Sequence, residues 1–383
     1  MTALPSTLAV TRRQALLKLG AGAAALGAGQ RLFAAGRSIR IASTLAQTGI
    51  ELPNGTGLHL GATAFFTALN KAGGINGLPV DLVVADDQFD PDKARRNAKA
   101  FAMDPSVVAM LHPLGTRQTA AVMETAFDMP VVGPNTGTVA LRNKGARNVF
   151  WVRANYDQEI EKLIATAATL GITRIGFVHP LDPLGTSLLA GFEASMGRHN
   201  LKAAVVATTP NTTSTDVEGA AAQIAKIAPQ LVIMGLGSTM PHFVKAARAA
   251  GCTSTMYGLS IAPNPANIEA LGDLTRGLAF SIVVPTPFAG KHEIVRRYRA
   301  DMTAIGASDL SLVSLEGYIN ARVLTEGLRR AGATPTRDSV QSALEGLGTI
   351  DIGGLRLHFA KGHQEVSSFV DLAVIGPNRR LMT

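Results

Sequence analysis

From residue 38 onward, short β-branched runs alternate with longer stretches of helical periodicity, and the pattern is written twice. A parallel strand reaches its neighbour only through a crossover, usually a helix, so this alternation dictates helices packed on both faces of a largely parallel sheet. In the first pass, 39–45, 80–85, 107–111 and 130–132 read as strands, with helices at 57–71, after Asp90-Pro91 and at 116–127. Asp suits an N-cap and Pro the first helical turn. The pattern restarts after 149–152 with a helix at 157–170, where Ile160, Leu163, Ile164 and Ala167 share one face. Strands at 174–178, 203–207, 231–234, 256–258 and 278–283 then alternate with helices at 184–198, 216–227 and 241–250. Helices near 292–305, 312–330 and 337–347 follow, and 355–359 with 365–375 read as antiparallel strands. The predicted fold is α/β, with two lobes, each a central parallel sheet flanked by helices. Low-complexity linkers are absent, so several crossing segments should join the lobes.

Residues 1–36 carry a different signal. Arg12-Arg13 precede a mildly apolar Ala/Gly/Leu stretch that ends in small residues near Ala34-Ala35, as in a secretory signal. The paired arginines resemble a twin-arginine signal, which predicts export to the periplasm. This segment also explains half of the chain's basic excess. The formal charge is +8, and Arg12, Arg13, Lys18 and Arg31 lie here without an acid among them. The rest shows no basic run interleaved with aromatics, so nucleic acid is not an expected partner. The single cysteine, Cys252, excludes an internal disulfide and reads as a small buried residue.

In such sheets, ligands sit at the carboxyl ends of strands, where loops meet helix N-termini. The enzyme signatures fail there. His292-Glu293 lacks the second His of a zinc-protease helix, because Arg296 stands in its place. A G-x-S-x-G elbow is missing, and Gly290-Lys291 lacks the surroundings of a phosphate loop. Gly235-Leu236-Gly237 sits between strand and helix like a dinucleotide loop, but its third glycine position is Met240 and no acid closes the next strand. The histidines lack ligand spacing, so neither a metal nor a cofactor is expected. Asp86-Asp87 and Asp90 read as capping groups at a strand end. Two loops remain, Leu114-Gly115-Thr116-Arg117 and Gly133-Pro134-Asn135-Thr136-Gly137-Thr138. Their small polar residues and helix-start amides suit a carboxylate or another polar group.

Several further segments carry a family resemblance: Asn70-Lys71-Ala72-Gly73-Gly74-Ile75-Asn76-Gly77, Asp86-Asp87 with Asp90-Pro91, Ala247-Arg248-Ala249-Ala250-Gly251, and Val152-Arg153-Ala154-Asn155-Tyr156. With Gly115-Thr116 and Thr136-Gly137, they make the chain resemble the periplasmic leucine/isoleucine/valine-binding proteins of ABC transporters, which have the type I periplasmic binding protein fold. The resemblance implies a ligand cleft between two Rossmann-like lobes joined by three crossovers, with lobe 1 at 38–154 plus 284–363 and lobe 2 at 155–283 plus 364–383. It implies ligand contacts from Asn54, Leu114, Gly115, Thr116, Asn135, Thr136, Gly137 and Tyr156, and from Leu184, Leu236 and Ser260 in the second lobe. Asn54, Leu184 and Leu236 stand where aromatics are usual. Ser260 stands where the amino-acid binders place an acid against the ligand ammonium, and Glu316 and Asp157 are the alternative acids considered. The implied function is non-enzymatic: a monomeric receptor that holds an amino acid, amide or small carboxylate and delivers it to a permease. Two other readings use the same lobes, a ligand-sensing receptor and a nucleotide-binding α/β enzyme at Gly235-Leu236-Gly237.

Overall fold

The computed structural model describes residues 37–362, 364–376 and 378–383, so the expected export signal at 1–36 lies outside the described residues. The first sheet takes β1 (Ile39–Leu45), β2 (Val80–Asp86), β3 (Val107–Leu111), β4 (Val131–Val132) and β5 (Val149–Phe150) in the order β2-β1-β3-β4-β5. All its pairs are parallel. Its crossovers hold α1 (Leu52–Lys71), α2 (Pro91–Met103), α3 (Thr116–Thr125) and the short α4 (Val139–Arg142).

The chain then enters α5 (Tyr156–Thr169), β6 (Ile175–Pro180), α6 (Pro183–Arg198), β7 (Ala203–Thr209), α7 (Glu218–Ile227), β8 (Leu231–Met234), α8 (Met240–Ala249), β9 (Thr255–Gly258), α9 (Pro265–Leu271) and β10 (Leu278–Ile282). Next come α10 (Glu293–Ala304), α11 (Leu312–Arg330), α12 (Arg337–Glu345), β11 (Thr349–Asp351), β12 (Arg356–His358), β13 (Asp371–Ile375) and β14 (Leu381–Met382). The second sheet runs β14-β13-β10-β9-β8-β6-β7, parallel except where β13 and β14 join its edge. Both sheets therefore have the parallel-rich, helix-flanked character expected from the alternation.

The chain passes between the sheets three times, after β5, after β10 and after β12. The first and third passages are stitched together. The Trp151 amide donates to the Gln364 carbonyl at 2.8 Å, and the Val366 amide to the Trp151 carbonyl at 3.1 Å.

Three local readings change. α1 starts at Leu52 rather than 57, because Pro53 opens its first turn and the helix tolerates Gly55 and Gly57. A Cβ on Gly55 would lie 1.9 Å from the Ala46 carbonyl oxygen, so glycine here permits close helix–loop approach. Of the antiparallel strands expected at 355–359 and 365–375, the first is β12, paired with β11, and the second shortens to β13, paired with β10. Gly353 and Gly354, at φ 109° and 94°, turn that hairpin, and the Asp351 carboxylate accepts from both of their amides. Asp90 caps α2 through Asp92 N and Lys93 N, whereas Asp87 binds the Thr44 hydroxyl and Phe89 N instead of the helix.

α11 returns to cover the first sheet by packing on α1. Here two glycines interlock: a Cβ on Gly61 would lie 1.7 Å from the Ser314 carbonyl oxygen, and one on Gly317 2.2 Å from the Leu58 carbonyl oxygen. Backbone cannot yield to one methyl without moving a helix. Gly61→Ala is therefore expected to destabilise the protein by about 1–3 kcal/mol, read as a lowered urea midpoint. Gly197→Ala, in α6 with nothing within 4 Å of the new Cβ, should instead be neutral or slightly stabilising. Equal responses of the two variants would refute the interlock.

Candidate functional site

A cavity of about 200 Å³ lies between the two halves, bounded by loops that leave the strands and enter helices of both sheets. One wall is the start of α3. Gly115 caps it at φ 96°, without a side-chain cap, and Gly115, Thr116, Arg117 and Gln118 all face the cavity. First-turn amides have no partner within their own helix, so this wall has a positive electrostatic character. Glycine is needed here, since a Cβ on Gly115 would lie 2.6 Å from the Phe89 ring.

Behind this wall, the Thr116 hydroxyl lies 2.9 Å from that of Thr136 and 2.7 Å from that of Thr138. Thr136 is thus a buried prop for Thr116 rather than part of the wall. Gly137 also stands back. Its carbonyl accepts from the Tyr156 amide at 2.9 Å, and a Cβ there would strike the Tyr156 ring at 2.6 Å. The cavity is reached from this loop by Asn135, and by Tyr156 at the start of α5.

The opposite wall comes from the second sheet's loops. Asp182 caps α6 by accepting from Gly185 N at 3.1 Å, and it also takes the Thr212 amide at 2.8 Å and the Thr212 hydroxyl. Leu184 follows in the first turn and adds apolar surface with Ile261, and Thr213, Asn211 and Gly237 complete the wall. Leu236 does not reach it. The side chain is 1% exposed, in the same apolar cluster as Met234, Met240 and Phe243, because it points into the core while Gly237 meets the cavity.

At the floor, Glu51 and Asn54 sit on the first turn of α1. Asn54 Nδ2 donates to Glu51 Oε2 at 2.6 Å, while Asn264 Nδ2 donates to Asn54 Oδ1 at 3.2 Å. The Ser238 amide, from the loop after β8, donates to Glu51 Oε1 at 3.3 Å, so this carboxylate bridges the two halves. Burial raises the Glu51 carboxyl above the usual range, although its bonds to Asn54 and Ser238 pull the other way.

Ser260 belongs to a neighbouring buried cluster. Its amide and hydroxyl donate to Glu159 at 2.9 and 3.0 Å, and Arg153 donates to its hydroxyl. Arg153 Nη2 also lies 3.1 Å from Glu159, and Nη1 3.4 Å from Glu316. Glu316 is therefore committed to Arg153, and Asp157 lines a separate outer groove with Asn143 and Pro183. Neither lines the cavity. Arg142 braces the same passage by donating to the Arg153 and Ala154 carbonyls at 3.1 and 3.2 Å. Burial lowers its guanidinium to about 10 despite the Glu365 carboxylate nearby.

Sequence reasoning missed Glu51, Phe89, Gln118, Asp182, Asn211, Thr212, Thr213 and Ile261. Pro53, a first-turn marker just after β1, was the available signal for Glu51. Asp182-Pro183 was an equally clear start signal for α6. Among the described residues, no group of three or more His, Cys, Asp or Glu could hold a metal ion.

A polar cavity shared by two helix-flanked sheets, with walls made of helix starts and small loops, defines a two-lobed solute-binding protein. The profile of the periplasmic binding protein family matches residues 38–373, and the chain belongs to that family. Membership implies an extracytoplasmic carrier of the ABC-transporter type. A substrate-binding periplasmic protein from Ralstonia solanacearum is 31% identical, covers 90% of this chain and 99% of its own, and has a TM-score of 0.84. A possible leucine/isoleucine/valine-binding protein from Rhodopirellula baltica is 25% identical over 91% of this chain and 96% of its own, with a TM-score of 0.86. An extracellular ligand-binding receptor from Verminephrobacter eiseniae is 26% identical over 91% and 100%, with a TM-score of 0.84. No curated protein matches the chain.

Proposed function

We propose that the protein is a monomeric, non-enzymatic receptor that holds one small organic molecule in the 200 Å³ cavity and delivers it to an ABC permease. The observation that carries this reading is the uncapped start of α3, with Phe89 beside it, facing the apolar Leu184 and Ile261 across that cavity. Amides there suit a carboxylate or amide oxygen, and the apolar side suits a short hydrocarbon portion. The ligand class is an amino acid, amide or small carboxylate, in keeping with the R. baltica relative's description. In this reading Asn54, Leu114, Gly115, Thr116, Asn135, Tyr156 and Leu184 touch the ligand, with Thr136, Gly137, Leu236 and Ser260 supporting them. Segments 38–154 with 284–363, and 155–283 with 364–383, move as lobes that close on the ligand. Residues 1–36 direct export by the twin-arginine route.

A thermal-shift screen of amino acids, amides and short acids tests this. A ligand at 100 times its Kd stabilises the folded state by about 2.7 kcal/mol, a readily measured rise in Tm. Failure of every class to raise Tm, or turnover of a bound compound, would defeat the proposal.

A further inference from the structure

We infer that the ligand carries a protonated nitrogen, and that Glu51, at the start of α1, is the side chain that selects it. The inference rests on the receptor reading and narrows its ligand class.

Glu51 is 4% exposed yet lines the cavity. Its hydrogen-bond partners are neutral: the Asn54 amide group and the Ser238 backbone amide and hydroxyl. Among the described residues, no cation pairs with it. Asn54 is itself fixed by Asn264, so the donor arrangement is rigid. A carboxylate offers about four lone-pair sites, and these donors leave one of them open. Room for a further donor exists on the cavity side. Gly237 lies beside Glu51 on the lining, and even an added Cβ there would meet Oε1 only in van der Waals contact, at 3.4 Å.

The other charged lining groups do not answer this carboxylate. Asp182 has donors of its own in Gly185 and Thr212, and Arg117 is exposed. The wall thus contains two acids and one arginine. A buried carboxylate without a counter-charge is costly, and a ligand N–H⁺ would remove that cost on binding. A carboxylate-only ligand would instead add a second like charge. The α3 amides provide a separate pole for the ligand's oxygen end, so an amine with an anionic or neutral oxygen group uses both poles. This acid enters from α1, in the opposite half of the molecule from Ser260.

The test uses purified wild-type chain and matched pairs in calorimetric titration: leucine against 4-methylpentanoate, phenylalanine against 3-phenylpropanoate, and 4-aminobutanoate against butanoate. In each pair that binds, the amine-bearing member should bind about 100-fold more tightly. Glu51→Gln should remove about 100-fold of affinity for the amine and leave the deaminated partner within about threefold. Equal or tighter binding of the deaminated member, or equal losses for both in the variant, overturns the inference but leaves the receptor reading intact. Absence of binding by every compound overturns both. Should Glu51→Gln fail to fold, the wild-type pairs decide alone.

Discussion

Replacing Arg153 with methionine should destabilise the protein by about 3–5 kcal/mol, measured by urea denaturation at neutral pH. Arg153 is 2% exposed and links three parts of the chain: the passage after β5, Glu159 on α5 and Glu316 on α11. Burial works against its charge, but Glu316, Tyr156 and Glu159 outweigh that and hold the guanidinium firmly protonated. Glu159 also accepts from Ser260 and, at 2.6 Å, from the Ser281 hydroxyl, so it has dedicated donors. Glu316 has only the Asn135 side chain in their place, and burial raises its carboxyl. Methionine preserves volume but strands two buried carboxylates. Glu316→Gln should cost far less, because it removes the charge in excess over one guanidinium. A loss below about 1 kcal/mol for Arg153→Met, the scale of an exposed ion pair, would show that the cluster is not the keystone described.

A second large effect concerns acid. His112 is fully buried at the end of β3, with neither ring nitrogen hydrogen-bonded. Burial, reinforced by His59, lowers it from 6.5 to about 3. The unfolded chain therefore binds a proton that the native protein refuses throughout that window. Stability is complete above pH 6.5 and falls as pH drops towards 3, by about 1.4 kcal/mol per pH unit for this group. Burial also lowers His59 and His179, which adds to the slope. His112→Asn should flatten it by about one proton between pH 6 and 4. Asparagine also tolerates the φ of 35° at this position. An unchanged slope would mean that His112 is not the group resisting protonation.

The alternation of β-branched runs and helical periods made both sheets readable, because that pattern is local and repeats. Strand ends also located the cavity loops, which is why Gly115, Thr116 and Asn135 could be singled out. Which way a loop residue points is a different matter. Leu236 and Gly237 are neighbours, yet one packs in the core and the other faces the cavity. The same limit applies to Thr136, which props Thr116 from behind. Arg153 meets Glu316 across a sequence separation of 163 residues, and no local spacing reports such a meeting. Glu51 was overlooked for a related reason. Its importance lies in being buried without a cation, a property of the assembled walls and not of the residues beside it.

The glycine-to-backbone seam between α1 and α11 sets an order on biosynthesis. α1 leaves the ribosome early, whereas the helix that shields it arrives only after β6 to β10 of the second sheet have been made. Throughout that interval the nascent chain carries an uncovered apolar helix face, which invites chaperone engagement or aggregation. A chain truncated before residue 312 would keep its first five strands but lack their cover.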